Sequence, residues 1–461
     1  MALLANLLKT SDCRYTQKIH GLLERVASSS LTRRIAGGAF WSFSGALVQK
    51  ILLLISSIAC AKILGKELFG ELGLVRSTIN MFVLLGAVGM GITASKYIAE
   101  YRDTQKQQAG NIFLITNIFG ISVGVIVSAL VFIFSEEIAI YLNAPHLKVT
   151  IQIGALLLFC AVVNGVQNGV LSGMESFRAI AINTIISAIV EICAILLGAY
   201  FWQVNGALLG YAIGFFVLAF LNRISIHHVL KQNGIRVFWN KIRLQDLSII
   251  YKFSLPAMCS SLMVIPVFWY IKTMLVKSGS DGFGELAIYE AADQWKMIIL
   301  FIPSAISRIA LPILSNTHGV RDRNNYIRIL KINLMLNIGV SLVMALIIVL
   351  ASRWIMVMYG KGFDNTYPLI ALAVSTLFSS IAAVVGSAIA SRSKMWIGLC
   401  FNLLWGAMTI GFTYLFLQLG MRASALACAV CCAYAIHAGL QSIYLFMVLK
   451  ENEICCDSCV R

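Results

Sequence analysis

Residues Ile332 to Ala351 read INLMLNIGVSLVMALIIVLA, twenty positions in a row without a charge. At 1.5 Å per residue such a helix is about 30 Å long, the thickness of the hydrocarbon core of a bilayer. Outward from this stretch the pattern recurs, and about twelve spans can be read. They fall near residues 38–63, 69–92, 110–134, 149–171, 179–200, 206–228, 249–275, 286–311, 332–351, 366–390, 396–418 and 423–447. The composition agrees, with 59% hydrophobic and only 12% charged residues. A soluble particle of that make-up would leave large apolar areas in water. The expected fold class is an all-α integral membrane protein.

Orientation follows from Lys and Arg, which short cytoplasmic loops retain. With the N-terminus inside, Arg14, Lys18, Arg25, Arg33 and Arg34 precede the first span, and Lys96, Arg102 and Lys106 follow the second. Lys231, Arg236, Lys241 and Arg243 lie between the sixth and seventh, and Arg321, Arg323 and Arg328 extend the pattern. Roughly two dozen basic residues fall inside and about eight outside, so both termini are expected in the cytoplasm. The formal net charge of +16 is then a matter of topology, and no nucleic-acid partner is expected. The opening Met-Ala-Leu-Leu-Ala-Asn-Leu-Leu has no basic n-region and is too short for a signal core, so no cleavage is expected.

An internal repeat organises the spans. Phe69-Gly70-Glu71-Leu72 opens the second and Phe283-Gly284-Glu285-Leu286 the eighth, 214 residues apart. Gly206-Ala207-Leu208-Leu209-Gly210 is echoed by Ser424-Ala425-Leu426-Ala427-Cys428 at nearly the same offset. Six spans per half is an even number, so both copies enter the membrane in the same direction. The expected architecture is two parallel-repeat six-helix bundles around a central cavity, the plan of transporters that rock one half against the other. The divisions are a cytoplasmic segment 1–35, a lobe 36–228, a cytoplasmic link 229–248, a lobe 249–448 and a cytoplasmic tail 449–461.

Polar residues inside spans mark the path, because a charge in hydrocarbon survives mainly where it faces a bundle interior or water. Lys50 and Gln49 lie in the first span, Arg76 and Asn80 one turn apart in the second, and Glu191 in the fifth. In the eighth, Tyr289, Asp293, Lys296 and Leu300 recur at helical spacing with Glu290 and Gln294 beside them. Ile298, Ile299 and Phe301 fall on another face. The repeat offset matches Arg76 to Glu290 and Asn80 to Gln294. Asp293 and Lys296 have the i,i+3 spacing of a structural ion pair, and that reading stands beside the cavity one. Lys272 is a further cavity candidate, ranked below the others because it lies near the outer interface, where a long side chain can snorkel.

Pro256 and Pro266 in the seventh span and Pro303 and Pro312 in or after the eighth each remove a backbone hydrogen bond and kink a helix. Cys60, Cys160, Cys193, Cys259, Cys400 and Cys428 fall in apolar spans, where a thiol acts as a small hydrophobe. Cys455, Cys456 and Cys459 in the tail could bind metal or take palmitate, but three cysteines without a fourth ligand make a poor zinc site, and no metal is expected there; no cofactor is expected. No Gly-rich lysine loop of the Walker kind is present, which argues against ATP hydrolysis as the driving force.

Further motifs carry a resemblance. Ala61-Lys62-Ile63-Leu64-Gly65 leads to Phe69-Gly70, and the stretch from Gly89 ends Lys96-Tyr97-Ile98-Ala99-Glu100. Leu171-Ser172-Gly173-Met174-Glu175-Ser176-Phe177 follows the fourth span, and Phe253-Ser254-Leu255-Pro256-Ala257 opens the seventh. Ala291-Ala292-Asp293-Gln294 runs on to Leu311-Pro312-Ile313-Leu314-Ser315. In order and spacing, from about residue 35 onward, these resemble the polysaccharide transporters of the multidrug/oligosaccharidyl-lipid/polysaccharide (MOP) exporter superfamily, and within it the O-antigen flippases. The resemblance implies a transporter and no enzyme, moving an undecaprenyl-diphosphate-linked oligosaccharide from the cytoplasmic to the periplasmic leaflet of a bacterial inner membrane. It implies a central cavity lined by the first, second, seventh and eighth spans. It also implies a polysaccharide polymerase and a chain-length regulator as partners beside membrane lipid.

A diphosphate needs cations facing a low-dielectric cavity. Lys50, Arg76 and Lys296 are the candidates, with Asn80 as a polar neighbour. Trp41, Trp269, Tyr270 and Trp295 are candidates to stack on sugar rings, though aromatics in spans also pack or anchor at interfaces. Glu191, Glu290 and Asp293 are candidates for coupling to protons or sodium, or for ion pairs. The first span carries Lys50 and no acidic residue, unlike proton-coupled drug exporters of the superfamily, and the two extra spans of lipid II flippases are missing. A multidrug or small-cation exporter is the alternative, and it requires a net acidic cavity. A membrane enzyme would need an extramembrane site that the short outward loops do not supply.

Overall fold

The computed structural model describes residues 30–235, 264–279, 281–319, 323–392 and 394–458, and among these no strand occurs. Helix α1 spans Ser30–Leu64, α2 Lys66–Tyr101, α3 Lys106–Ile133, α4 Ser135–Tyr141, α5 Lys148–Gly173 and α6 Phe177–Gln232. In the second half α7 spans Val264–Lys277, α8 Gly282–Ile299, α9 Phe301–Gly319, α10 Arg323–Val357, α11 Tyr367–Ser391, α12 Met395–Gln418 and α13 Ala423–Ser458. Among the described residues eight helices are long and apolar enough to cross a membrane, or ten when the bent α2 and the pair α8 and α9 each count as one span. Large side chains such as Leu350, Trp354 and Trp396 stand exposed, as lipid-facing groups must. Of the expected features, the 253–257 motif with Pro256, Cys259, the link beyond residue 235 and the side chains of the tail cysteines lie outside the described residues.

Helix α6 is too long for one crossing, and the chain doubles back within it. Trp202 (φ −131°, ψ 21°) and Gln203 (φ 50°, ψ −130°) break the helix, and Gln203 adopts a conformation that glycine takes at little cost. The two limbs then run antiparallel, with Gly198 against Gly206, Ile195 against Gly210 and Glu191 against Gly214. The turn accounts for the two spans expected at 179–200 and 206–228. The second limb continues to Gln232, so the first residues of the expected link are helical. A Cβ on Gly198 would lie 2.1 Å from the Gly206 carbonyl oxygen, and one on Gly206 would lie 2.0 Å from that of Gly198. Gly198→Ala is therefore expected to pry the limbs apart, at about 1–3 kcal/mol or more. A lowered melting temperature of the detergent-purified protein checks this; an unchanged one would mean that the limbs do not meet here.

Amides hold the same lobe together. Asn183 Nδ2 donates to Asn222 Oδ1 at 3.0 Å, and Asn222 Nδ2 donates to Asn168 Oδ1 at 3.2 Å. The chain of amides ties α5 to both limbs of α6, the polar glue expected where lipid removes the hydrophobic drive between helices. The N-terminal lobe is built by α2 on α5, α5 on α6, α1 on α6 and α3 on α5. The C-terminal lobe is built by α11 on α13, α10 on α11, α12 on α13 and α9 on α10. The lobes meet where α7 and α8 lie on α2.

Helix α2 bends by 46° between Leu84 and Gly89, and α8 meets α9 at 41° across Leu300. Shifted by the 214 residues between the two Phe-Gly-Glu-Leu motifs, the first bend falls on the second. Pro303 explains the break in the eighth span. It has no N–H to offer the carbonyl of Ile299, the last residue of α8. The turn is carried by Leu300 N–H to Lys296 O at 3.1 Å and Ser304 N–H to Leu300 O at 2.9 Å.

Candidate functional site

A cavity of about 510 Å³ lies between the lobes. Helix α1 contributes Lys50 and Ser57, α2 contributes Arg76 and Asn80, the second limb of α6 Tyr211, and α7 Phe268 and Lys272. Helix α8 contributes Glu290, Asp293, Gln294 and Lys296, so the polar strip of the eighth span does face this space. The strip is wider than its spacing suggested. Met297 and Ile298 also line the cavity, whereas Tyr289 is fully buried and is not among the lining residues.

The charges fall into two groups. Lys272 Nζ pairs with Glu290 Oε1 at 2.7 Å, and Lys296 pairs with Asp293 one turn away on the same helix. Lys272 is 8% exposed, which corrects its expected place near the outer interface: it points inward because Glu290 lies across from it. Glu290 therefore takes Lys272 as its ion-pair partner, and Arg76, its repeat mate, is not paired with it. Among the described residues no carboxylate lies within 4 Å of Arg76 or Lys50. The Arg76 guanidinium sits 4.1 Å from the Tyr211 ring centroid, and the Lys50 ammonium 5.7 Å from that of Phe301. Among the described residues the cavity lining thus holds four cations, Lys50, Arg76, Lys272 and Lys296, against two carboxylates, Glu290 and Asp293.

Other candidates stand elsewhere. Glu191 is buried against Gly214 between the limbs of α6, behind the wall that carries Tyr211. Trp269 donates its Nε1–H to Thr78 Oγ1 at 3.0 Å and stacks on Tyr141 at 6.0 Å, outside the lining. Trp295 packs into the main hydrophobic core, also outside it. Trp41 lies under the guanidinium of Arg178, and Tyr270 is exposed on α7. Ser57, Tyr211 and Phe268 were not distinguishable in the sequence, since a serine or aromatic in a span signals packing as readily as a cavity.

One end of the seam is sealed. Lys66 on α2 reaches Asp281 at 3.0 Å and Glu285 at 3.7 Å, across the lobes. The two Phe-Gly-Glu-Leu motifs meet there: a Cβ on Gly70 would lie 1.9 Å from the carbonyl oxygen of Phe283. Phe69 packs on Tyr359 and Phe363 of the other lobe. Glu71 takes His146 at 2.9 Å, and Glu285 accepts the N–H of Ala423 at 3.1 Å. Nearer the cavity, Gln294 Nε2 donates to Ser57 Oγ at 2.7 Å. Toward the opposite end, Phe43 and Phe301 touch across the lobes at 5.1 Å.

Two lobes of membrane helices meeting around a charged cavity make the architecture of a polytopic transporter. The chain belongs to the polysaccharide biosynthesis protein family, which it matches over residues 35–318. It is 27% identical over 203 residues to the EPS I polysaccharide export inner membrane protein EpsE of Ralstonia nicotianae, a match that takes in 44% of this chain and about half, 46%, of that relative. It is 23% identical over 370 residues to a putative O-antigen transporter of Shigella flexneri, covering 78% of this chain and 85% of the other. Its fold is shared with a multidrug resistance MATE family transporter of the MOP superfamily in an inward-facing conformation. There the TM-score is 0.78 at 16% identity, over 90% of this chain and 98% of the other.

Proposed function

We propose that the protein is a flippase that carries a diphosphate-linked lipid glycan from the cytoplasmic to the periplasmic leaflet of a bacterial inner membrane by alternating access. The observation that carries this reading is the charge of the cavity, where among the described residues cations exceed carboxylates by two and the excess sits on Lys50 and Arg76. A diphosphate diester carries one negative charge on each phosphate, so it matches that excess. In a site of low dielectric each such pairing is worth more than in water. A guanidinium adds a planar fork suited to phosphate oxygens.

The sealed Lys66 end is the periplasmic end when the basic residues are placed inside, so this conformation would receive its cargo from the cytoplasm. Phosphates entering beside Lys272 and Lys296 would compete with Glu290 and Asp293 for them, giving cargo a differential hold on the two states, which alternating access requires. Glu191, Glu290 and Asp293 are the groups through which a proton or sodium gradient would act. The relatives' names support export of a polysaccharide, and a polymerase and a chain-length regulator are the partners proposed beside this chain. The multidrug or small-cation exporter reading needs a net acidic cavity, and the described lining of this one is net basic.

The test is the leaflet location of undecaprenyl-linked oligosaccharide in cells depleted of the protein. Build-up on the cytoplasmic side with loss of surface polysaccharide is the expected result. Unchanged lipid-linked sugar together with raised drug sensitivity would move the assignment to drug efflux.

A further inference from the structure

A second cavity, of about 560 Å³, lies inside the C-terminal lobe between α9, α11, α12 and α13. Among the described residues it shares no lining side chain with the central cavity, yet the two adjoin. Phe268 of the central cavity packs on Trp405 at 5.7 Å, and Trp405 packs on Tyr434, which lines the second cavity, at 5.1 Å. The break at Leu300 divides the eighth span in the same way. Ile298 faces the first space, while Leu300 and Pro303 face the second.

The lining has a definite chemistry. Its polar groups are hydroxyls, amides and one imidazole, with Ser379, Ser387, Asn402, His437 and Gln441 among them. No carboxylate is present among the described lining residues, and Lys394, the sole lysine, is exposed. Gln441 is 3% exposed, and its Oε1 has no hydrogen-bond partner. A buried acceptor left in that state is a cost that a ligand hydroxyl would remove. The walls leave room: a Cβ on Gly398 would meet nothing within 4 Å, and one on Gly386 only Gln441 Nε2 at 4.0 Å. A hard cation would need oxyanion ligands and a phosphate would need basic donors. A neutral polyhydroxylated ring needs what is present, hydroxyls and amides for its edge and the Tyr434 ring for its apolar face. The volume falls within the roughly 300–1,000 Å³ of small-molecule sites.

We infer that this cavity is a subsite for neutral sugar residues of the cargo, so that the central cavity holds the charge while the C-terminal lobe reads the glycan. The inference rests on the lipid-linked-glycan reading above. It is tested with the full protein in lipid nanodiscs and two probes, undecaprenyl diphosphate and the undecaprenyl-diphosphate-linked oligosaccharide extracted from the host. Gly398→Leu fills the space, and Gln441→Leu removes the unpartnered acceptor at nearly constant volume. Each is expected to weaken binding of the glycan-bearing probe about tenfold and to leave binding of undecaprenyl diphosphate unchanged. Equal loss of both probes in both variants, or no loss of either, would overturn the sugar subsite while leaving the flippase reading in place. A shift in the pH dependence of transport without loss of sugar affinity would also overturn it, in favour of a water path. Failure of the unaltered protein to bind undecaprenyl diphosphate would sink the flippase reading and the subsite with it.

Discussion

Arg76→Ala is expected to abolish export while the protein still inserts and folds. Arg76 can be tested cleanly because, among the described residues, no carboxylate lies within 4 Å of it. Removing Lys272 or Lys296 would leave the half-buried Glu290 or Asp293 without its ion-pair partner, and breaking a fully buried pair costs about 3–5 kcal/mol of stability. Such variants would confuse a lost ligand contact with a damaged lobe. Arg76→Ala removes the side chain beyond Cβ, and with it the guanidinium stacked on Tyr211, without stranding a carboxylate. A hydrogen bond to a charged group is worth roughly 1.5–3 kcal/mol, so affinity for undecaprenyl diphosphate should fall by about 10- to 150-fold. Arg76→Lys keeps the charge but loses the fork and the stacking, and should fall between the two. Lys50→Ala should weaken binding in the same direction. The readouts are probe binding in nanodiscs and surface polysaccharide in cells that produce only the variant. Normal export by both alanine variants would remove the central cavity from the account of cargo binding.

The spans were legible because lipid imposes a simple rule, and the apolar stretch 332–351 becomes part of α10 with little change of register. The reversal between 200 and 206 was legible as a polar interruption, but its mechanism was not. It depends on Gln203 taking a conformation that side chains avoid, and no residue type announces that. Lys272 ranks below the other cavity cations when only its depth along the helix is known, because the sequence does not show that Glu290 lies across from it. Trp269 and Trp295 show the same limit for aromatics: their partners, Thr78 and the core around Tyr359, are distant in sequence and were not deducible. The Phe-Gly-Glu-Leu repeat was found as a token of symmetry. Its placement adds a role, since the two copies meet at the sealed end of the seam.

That placement makes the two glycines of the repeat unequal, and Gly70→Ala should act as a wedge where Gly284→Ala does not. The Cβ added at Gly70 meets backbone, the Phe283 carbonyl oxygen at 1.9 Å, and backbone cannot swing away. The Cβ added at Gly284 meets side-chain atoms only, Asp281 Oδ1 at 2.1 Å, Asp281 Cγ at 2.9 Å and Lys66 Cε at 3.0 Å, and side chains can rotate aside. Closure at this end also draws on Lys66 with Asp281 and Glu285, but partly exposed ion pairs of this kind contribute little, so they would not offset the wedge. Overpacking costs about 1–3 kcal/mol when side chains can yield, and 1.4 kcal/mol shifts a two-state ratio tenfold. With the sealed state penalised by at least that much, the population should move toward the conformation open at the Lys66 end. In a background stripped of native cysteines, a cysteine at the cavity residue Ser77 reports the shift. A membrane-impermeant thiol reagent added outside should label it at least tenfold faster with Gly70→Ala, and at nearly the unaltered rate with Gly284→Ala. Export should fall in the first variant and persist in the second, because a transporter that cannot close one face cannot complete its cycle. Equal labelling in the two variants would mean that the repeat motifs do not form the seal and that the lobes part elsewhere.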